Sequence, residues 1–220
     1  MFINKLTATL TLFSIALFIN LNIFAQSFQG KIICGLNLAQ VDGDEVVGYR
    51  KPGFNTGVGA AFPFGKSWLV SLETIFNQKG AYKKFSPDDR FNAVLPYYNL
   101  RLNYAEIPLL IQYNDKNIVT GGIGFSYGRL VSGKEIEHGV KIDWKNNSPY
   151  SKNDFNVLVD VSFRVYQKMH FNFRYAYSMY RIRNRIFDNT VSVWERKQYN
   201  NLISFRIMYI FNDNYKPKSK

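Results

Sequence analysis

The hydrophobic and polar positions of this chain alternate with a period of two over eight separate stretches. In the clearest one, residues 169–179, methionine or an aromatic residue occupies every odd position and a polar or small residue every even one. This period places successive side chains on opposite faces of a β-strand. A strand of this length rises about 3.3 Å per residue, and with a tilt of about 45° it spans about 25 Å, the height of the apolar band of an outer-membrane barrel.

The other stretches predict seven further strands of similar length. Each presents one apolar and one polar face, although the strand at 118–129 is rich in glycine. Pro108 lies inside one of these strands, where a proline removes a ladder hydrogen bond, so we expect a bulge or a strand end there. The seven strands are predicted at 29–38, 53–62, 68–79, 101–113, 118–129, 154–166 and 198–211.

The connections between the predicted strands alternate in length. Short turns occur at 63–67, 114–117 and 167–168, whereas long polar segments separate the remaining neighbours. Connections that alternate between short turns and long loops are typical of outer-membrane barrels, whose short turns face the periplasm. We therefore predict an all-β fold, an eight-stranded antiparallel up-and-down transmembrane β-barrel with both termini periplasmic. A secreted soluble barrel or sandwich is the alternative.

The first 25 residues predict a secretory signal peptide. Lys5 precedes an apolar run, and Ala25 supplies the small residue before a cleavage site. Polar residues dilute the run and no basic cluster follows it, which disfavours a membrane anchor. We predict a cleaved signal peptide at 1–25, a barrel domain at 26–211, a polar periplasmic tail at 212–220 and a location in the bacterial outer membrane.

The composition narrows the choice of partners. The formal net charge is +12 and aromatic residues make up 17% of the chain. Because the aromatic residues alternate along strands and form no RNA-binding motif, nucleic acid is not expected. Outer-membrane lipids, the phosphates of lipopolysaccharide or another envelope protein better match the charge. The single cysteine, Cys34, excludes an internal disulfide.

Strand parity predicts which charged side chains point into the barrel. An eight-stranded barrel is only just wide enough for side chains to fill it, so these residues predict an ion-pair network that closes the lumen. A proton or ion path is the alternative. The predicted network consists of Lys31, Glu73, Glu106, Asp160, Arg164, Arg174 and Arg206.

The candidate residues for chemistry do not converge on one site. His138 and His170 are predicted near opposite ends, which disfavours a histidine metal site or a serine–histidine hydrolase. We therefore predict no catalytic residue, cofactor or metal. Loops on a rigid scaffold are the better candidates for recognition. The candidate contacts are Arg181, Arg183 and Arg185 in one loop and Lys134, Lys141 and Lys145 in its neighbour.

Residues 104–110 read Y-A-E-I-P-L-L. This segment resembles the Y-x-E-I-P-L-L signature of the PorT-like outer-membrane β-barrel proteins of the Bacteroidetes type. Three other short segments also occur in the order expected for that family: G-L-N at 35–37, G-F-N-T-G at 53–57 and G-G-I-G at 121–124. The resemblance covers nearly the whole mature chain and implies a fold and a location. It implies no mechanism, and the link of some members to secretion and gliding machinery transfers only by analogy.

These observations predict a non-enzymatic outer-membrane barrel that serves as a structural or accessory subunit of a cell-envelope complex, including a secretion-related one. Two alternatives stay open, a narrow pore or transporter and a lipopolysaccharide-interacting barrel. An outer-membrane enzyme that modifies lipids would require a nucleophile and a base together at the extracellular rim.

Overall fold

The computed structural model of the protein describes residues 28–84, 97–144, 148–188 and 192–213. The predicted signal peptide, at 1–25, lies outside the described residues, as does most of the predicted tail. Within the described ranges there is no helix that is long and apolar enough to cross a membrane. The strands are β1 (Gln29–Asp42), β2 (Lys51–Phe64), β3 (Trp68–Lys83), β4 (Tyr98–Asp115), β5 (Val119–Glu137), β6 (Val140–Ile142), β7 (Asn153–Tyr166), β8 (Met169–Ser178), β9 (Arg183–Asp188) and β10 (Val193–Ile210).

Eight of these strands form a closed antiparallel ring. Hydrogen bonds join β1, β2, β3, β4, β5, β7, β8 and β10 in that order, and β10 pairs back with β1. In the closing pair, Lys31 lies opposite Ile210 and Asp42 opposite Tyr199. Closure joins the two edges of the sheet to each other, so their backbone groups bond within the ring. The predicted eight-stranded antiparallel up-and-down barrel is confirmed.

The two ends of the barrel differ. At one end, here called the turn end, short turns at 65–67, 116–118 and 167–168 join consecutive strands, and β1 begins and β10 ends there. The opposite end, the loop end, carries the longer connections. Much of the predicted loop sequence is strand, because β3, β4 and β5 extend there, β6 pairs with β5, and β9 pairs with residues 193–198. Backbone pairing continues past the apolar band, where the outward residues become polar and the alternation that predicts strands is lost.

A β-bulge reverses the side-chain orientation of β5 near the loop end. Asn103 of β4 pairs with Ser132, whereas Tyr104 pairs with Leu130, so Val131 is the extra residue. A bulge shifts the parity of all residues beyond it. As a result Glu135 is buried, only 1% exposed, and points towards the barrel axis.

The bulge or strand end predicted at Pro108 is wrong. β4 continues through this residue, and Pro108 pairs with Ser126 of β5 without a change of register. Only the pairing with β3 is interrupted, between the Leu72–Leu109 pair and the Ile75–Glu106 pair, and the register is the same on both sides. Because proline lacks an N–H, the hydrogen-bond ladder with β3 is locally weakened, but the strand continues and its register does not change.

Apolar side chains cover the outside of the ring between its two ends. A continuous apolar exterior on a closed sheet is what contact with lipid hydrocarbon requires, and it is unusual for a protein surrounded by water. The exposed apolar residues of the band include Ile32, Leu36, Phe54, Val58, Leu72, Ile107, Leu109, Ile111, Ile123, Phe125, Val157, Val159, Phe163, Phe205 and Ile207.

Inward glycines leave the space that buried charges occupy. A Cβ atom on Gly59 would lie 2.9 Å from Cγ of Glu73. A Cβ atom on Gly122 would lie 2.7 Å from Cγ of Gln112 and 2.9 Å from Oδ1 of Asp160. A Cβ atom at either position would therefore force charged or polar side chains in the lumen to move.

Gly122→Ala tests this close approach, and Gly121→Ala is its matched control. The added methyl group at position 122 should lower the free energy of unfolding by about 1–3 kcal/mol, the usual cost of overpacking. Nothing lies within 4 Å of a Cβ atom on Gly121, so that substitution should be neutral or should stabilise by about 0.4–1 kcal/mol. Urea unfolding in detergent micelles measures both. Equal losses would show that the two strand faces are assigned incorrectly.

Candidate functional site: the filled lumen and the loop end

The middle of the lumen holds an ion-pair cluster centred on Glu73. Its carboxylate accepts hydrogen bonds from Lys31 Nζ at 2.8 Å and from Arg174 Nη1 and Nη2 at 2.8 and 3.1 Å. Arg206 Nη1 donates a fourth bond at 3.2 Å. Arg174 Nη2 also donates to Asp160 Oδ2 at 2.8 Å. We call these residues the central cluster: Lys31, Glu73, Asp160, Arg174 and Arg206.

Every member of the central cluster is buried, with at most 5% of its surface exposed. Strand alternation explains the convergence, because each residue occupies an inward position of β1, β3, β7, β8 or β10. Neutral groups complete the bonding, since Gln112 Nε2 donates to Asp160 at 3.2 Å and Asn172 Oδ1 accepts from Arg206 Nε at 2.8 Å. Three cations and two carboxylates leave this cluster with a formal charge of +1.

A second cluster lies nearer the loop end. Lys79 Nζ lies 2.6 Å from Glu106 Oε1 and 2.9 Å from Asp154 Oδ2, and all three side chains are at most 2% exposed. We call this the loop-side cluster, and its formal charge is −1. Sequence reasoning identified Glu106 but missed Lys79 and Asp154. Both stand at the ends of their predicted strands, and the same parity rule would have found them.

The two clusters balance each other. Their formal charges of +1 and −1 sum to zero, so these eight side chains together bury no net charge. Asparagine side chains extend the hydrogen bonding of the loop-side cluster. Asn77 Nδ2 donates to Glu106 at 2.9 Å, and Asn37 Nδ2 donates to Asn77 at 2.6 Å. Burying an unpaired charge is expensive, and this arrangement avoids that cost.

Arg164 does not belong to the lumen network, and that part of the prediction is wrong. Its Nη1 pairs with Asp213 Oδ2 at 2.5 Å and its Nε donates to the carbonyl of Asn117 at 2.6 Å. The register of β7 shifts beside Arg164, where the strand reaches the turn end. Burial would raise the pKa of Asp213, but His170, whose Nε2 lies 3.5 Å away, and the hydrogen bond from Arg164 outweigh it and lower that pKa to about 2. This pair therefore fastens the segment after β10 across the turn end.

An apolar cluster closes the lumen at the loop end. Leu100, Leu102, Tyr104 and Ile182 are at most 1% exposed and pack together there. The Y-A-E-I-P-L-L segment contributes to both layers, because Tyr104 joins this cluster and Glu106 the loop-side cluster. The alternating Ala105, Ile107 and Leu109 of the same segment face outward.

Arg183 was predicted as an exposed loop contact, and that prediction is wrong. Its guanidinium donates to Glu135 Oε1 at 2.9 Å and to the Tyr150 hydroxyl at 2.9 Å, and its side chain is 18% exposed. Burial lowers the pKa of Arg183, but Tyr150 and Glu135 outweigh it and raise that pKa above its usual value. Tyr98 also donates to Glu135, at 3.1 Å. The bulge at Val131 places Glu135 here, and no sequence pattern indicates this bulge.

The other predicted loop residues have separate surroundings. Arg185 pairs with Glu137, and its guanidinium lies 4.8 Å from the centre of the Phe187 ring. Arg181 and Lys141 are exposed. Lys145 lies outside the described residues. The three arginines therefore do not form one shared contact surface.

A different set of cations does share one surface. Arg101 of β4 lies directly opposite Lys134 of β5, and both are exposed on the outward face. Like charges directly opposite each other destabilise a strand pair. Lys134, Lys141 and Lys152 line an open groove of about 380 Å³ beside the ring of Trp144. We call Arg101, Lys134, Lys141 and Lys152 the basic stripe.

Metal-binding geometry is not present in the part of the chain that the structure describes. No group of three histidine, cysteine, aspartate or glutamate side chains there is arranged to hold an ion. The hydroxyl of Ser178 donates to Asp154 at 2.7 Å, so its bonding belongs to the loop-side cluster.

The geometry agrees with comparisons to known proteins. The model of the family described as outer membrane protein beta-barrel domain matches residues 24–183. Among solved structures, Neisserial surface protein A has a TM-score of 0.50 and 12% identity, covering 84% of this chain and 97% of that one. The attachment invasion locus protein of Yersinia pestis has a TM-score of 0.48 and 14% identity, covering 83% and 98%. No protein in the curated comparison matches this chain significantly.

At such low identity these structural likenesses concern the fold alone, and the Neisserial structure, with its TM-score of 0.50, carries that argument. Its match extends over nearly the whole of both barrels. The matching family model describes a general outer-membrane β-barrel domain and does not name the PorT-like group that the sequence resembles.

Arg174→Leu should strongly destabilise the barrel, because it leaves Glu73 and Asp160 short of a buried partner. We expect a loss of about 3–5 kcal/mol in the free energy of unfolding, the usual cost of breaking a buried ion pair. Arg181→Leu removes the same charge from an exposed position, and there we expect at most about 1 kcal/mol. Urea titration of both variants in micelles provides the comparison, and similar midpoints would contradict a role for the central cluster in stability.

Proposed function

Because the chain belongs to the outer membrane protein beta-barrel domain family, we propose that it is a closed, non-enzymatic barrel that serves as a structural or accessory subunit of a cell-envelope complex. The protein is a β-barrel of the bacterial outer membrane. The proposed role concerns what this barrel does there. A place in the narrower PorT-like group, and with it a secretion-related complex, is part of the proposal.

The filled lumen is the observation that carries this proposal. Eight charged side chains of the central and loop-side clusters occupy the bore, each at most 5% exposed. An apolar cluster lies over them at the loop end. A hydrated solute would have to break these pairs and displace that cluster, which argues against a pore or transporter and leaves the outer surfaces for function.

The loop end is the surface best suited to contacts. Its walls are hydrogen-bonded strands, since β4 and β5 pair as far as Tyr98 and Glu137 and β9 pairs with β10. Rigid strands lose little conformational entropy when a partner binds. In the proposed orientation the loop end is extracellular, and the turn end, where β1 begins and β10 ends, is periplasmic.

The proposed closed state has a direct electrical test. Protein reconstituted into planar lipid bilayers should give no steady conductance, whereas a porin reconstituted in the same way serves as the positive control. Reproducible open-channel steps from the wild-type protein would contradict the closed barrel and would favour the pore.

The subunit role has a separate test. Reversible crosslinking in native outer membranes, followed by purification in mild detergent, should recover the protein with stoichiometric envelope partners. Recovery of the barrel alone from crosslinked membranes would contradict the subunit role while leaving the closed lumen unaffected.

A second candidate function, binding of lipopolysaccharide, is favoured by the basic stripe. Lys134 follows the exposed Val131 by only three residues, so the stripe begins where the apolar outer face ends. Anionic lipid headgroups occupy that level of a membrane. A phosphate between Arg101 and Lys134 would turn a repulsive cross-strand pair into two attractive contacts.

The triple variant Arg101→Gln, Lys134→Gln and Lys141→Gln tests this candidate. Lipopolysaccharide binding at low ionic strength should fall several-fold, because exposed charges act most strongly when screening is weak. The matched control changes Lys66, Lys116 and Lys168, one on each short turn, to glutamine and should bind as the wild type does. Equal binding by the stripe variant and the control would contradict the lipid-binding role.

A further inference from the structure

A cavity of about 240 Å³ opens at the loop end, inside the rim of the barrel. Its walls come from the loop after β1, the ends of β3 and β5, the start of β4, and β9. The basic stripe lies elsewhere, on the outward face of β4, β5 and β6 and at Lys152, just before β7. A liquid-water molecule takes up about 30 Å³, so this cavity has room for a small organic molecule.

Asp44 lines this cavity and has an unsatisfied carboxylate oxygen. The residue is 5% exposed. Its Oδ1 accepts a hydrogen bond from the Val46 amide at 2.8 Å, whereas its Oδ2 is buried and has no partner among the described residues. Buried polar atoms in native proteins nearly always have a partner, so this atom calls for a donor from outside the described chain.

Arg185, a cation that acts electrostatically on Asp44, does not meet that need. Arg185 pairs with Glu137, and its guanidinium lies over the rings of Phe187 and Tyr98, at 4.8 and 5.8 Å from their centres. It is therefore already bonded and stacked on the cavity wall. An incoming donor is the simplest way to satisfy Oδ2 of Asp44.

The lining also indicates the charge of that donor. Three carboxylates face two cations around the cavity, which gives a formal charge of −1 when His138 is neutral. Aromatic rings complete the wall, and ring faces attract ammonium groups. The charged lining residues are Asp44, Glu45, Lys83, Glu137 and Arg185.

We propose that this rim cavity binds a small soluble organic cation through a primary ammonium group, which donates a hydrogen bond to Oδ2 of Asp44. The aromatic wall packs against the body of the ligand. This site uses none of the residues of the basic stripe, and binding of a small soluble cation goes beyond the proposed subunit role.

The protonation state of Asp44 controls this site. Burial raises the pKa of Asp44 to about 7, and the Val46 amide and Arg185 only partly oppose that effect. An ammonium group pairs with the ionised carboxylate, so affinity should rise with pH. From pH 6 to pH 8 the ionised fraction of a group with this pKa grows about tenfold, while a primary amine with a pKa of about 10.4 stays protonated. The other titratable groups around Asp44 and its cavity are Asp42, Glu45, Lys83, Tyr97, Tyr98, Glu137, His138 and Arg185.

Calorimetric titration of the micelle-embedded protein with n-butylammonium tests the proposal. Wild-type protein should bind it about tenfold more tightly at pH 8 than at pH 6. Asp44→Asn should lose at least tenfold in affinity at pH 8 and should lose the pH dependence. Asp42→Asn is the matched control, because Asp42 bonds to Gln40 and Asn201 and does not line the cavity. That variant should retain wild-type binding at pH 8, where Asp44 is largely ionised in both proteins.

Two further ligands separate the contributions to binding. Tetramethylammonium carries the same charge without an N–H donor and should bind at least several-fold more weakly, and neutral n-butanol should not bind. Failure of n-butylammonium to bind the wild type, or equal binding by Asp44→Asn, would overturn the proposal. If tetramethylammonium bound as tightly as n-butylammonium, the proposed hydrogen bond to Asp44 would be contradicted. A carbon-13 shift of the Asp44 carboxyl with phosphatidylethanolamine bicelles but not with n-butylammonium would overturn the soluble ligand in favour of a lipid headgroup.

Discussion

The pairing of charges inside a narrow, dry lumen is the constraint on which this structure depends. Arg206 and Glu73 are fully buried, where an unpaired charge would cost several kcal/mol. Each charge must therefore meet a partner on another strand, and this requirement sets the register around the whole ring. Inward glycines such as Gly59 and Gly122 are a consequence, because any larger residue there would displace the ion pairs. The same pairs fill the bore, so stability and closure of the lumen have one physical origin.

Much of this architecture was predictable from residue alternation alone. Strand count, ring order and turn positions follow from a period of two combined with sorted connections. Five of the seven predicted lumen residues meet in the central cluster, and Glu106 joins the loop-side cluster. The prediction for Arg164 failed because parity gives the face on which a residue lies but not its position along the barrel axis. Arg164 lies at the turn end, where its long side chain pairs with Asp213.

The loop end resisted prediction for a different reason. Beyond the apolar band a strand no longer needs apolar residues on its outer face, so backbone pairing leaves no periodic signal in the sequence. The bulge at Val131 then reverses the parity of β5. Glu135 and Arg183 consequently meet inside the rim, although both read as solvated loop charges. Asp44 likewise reads as an ordinary loop aspartate, and only the packed structure reveals its burial.

The central cluster also has a consequence for the order of assembly. Its partners are far apart along the chain, with Glu73 separated by 42 residues from Lys31, by 101 from Arg174 and by 133 from Arg206. Lys31 belongs to the first strand and Arg206 to the last, so the cluster is incomplete until β1 and β10 meet. A partly formed sheet would expose these charges to lipid, where they are strongly disfavoured. Ring closure and membrane insertion are thereby coupled, and a chain that lacks either terminal strand has no stable way to enter the bilayer.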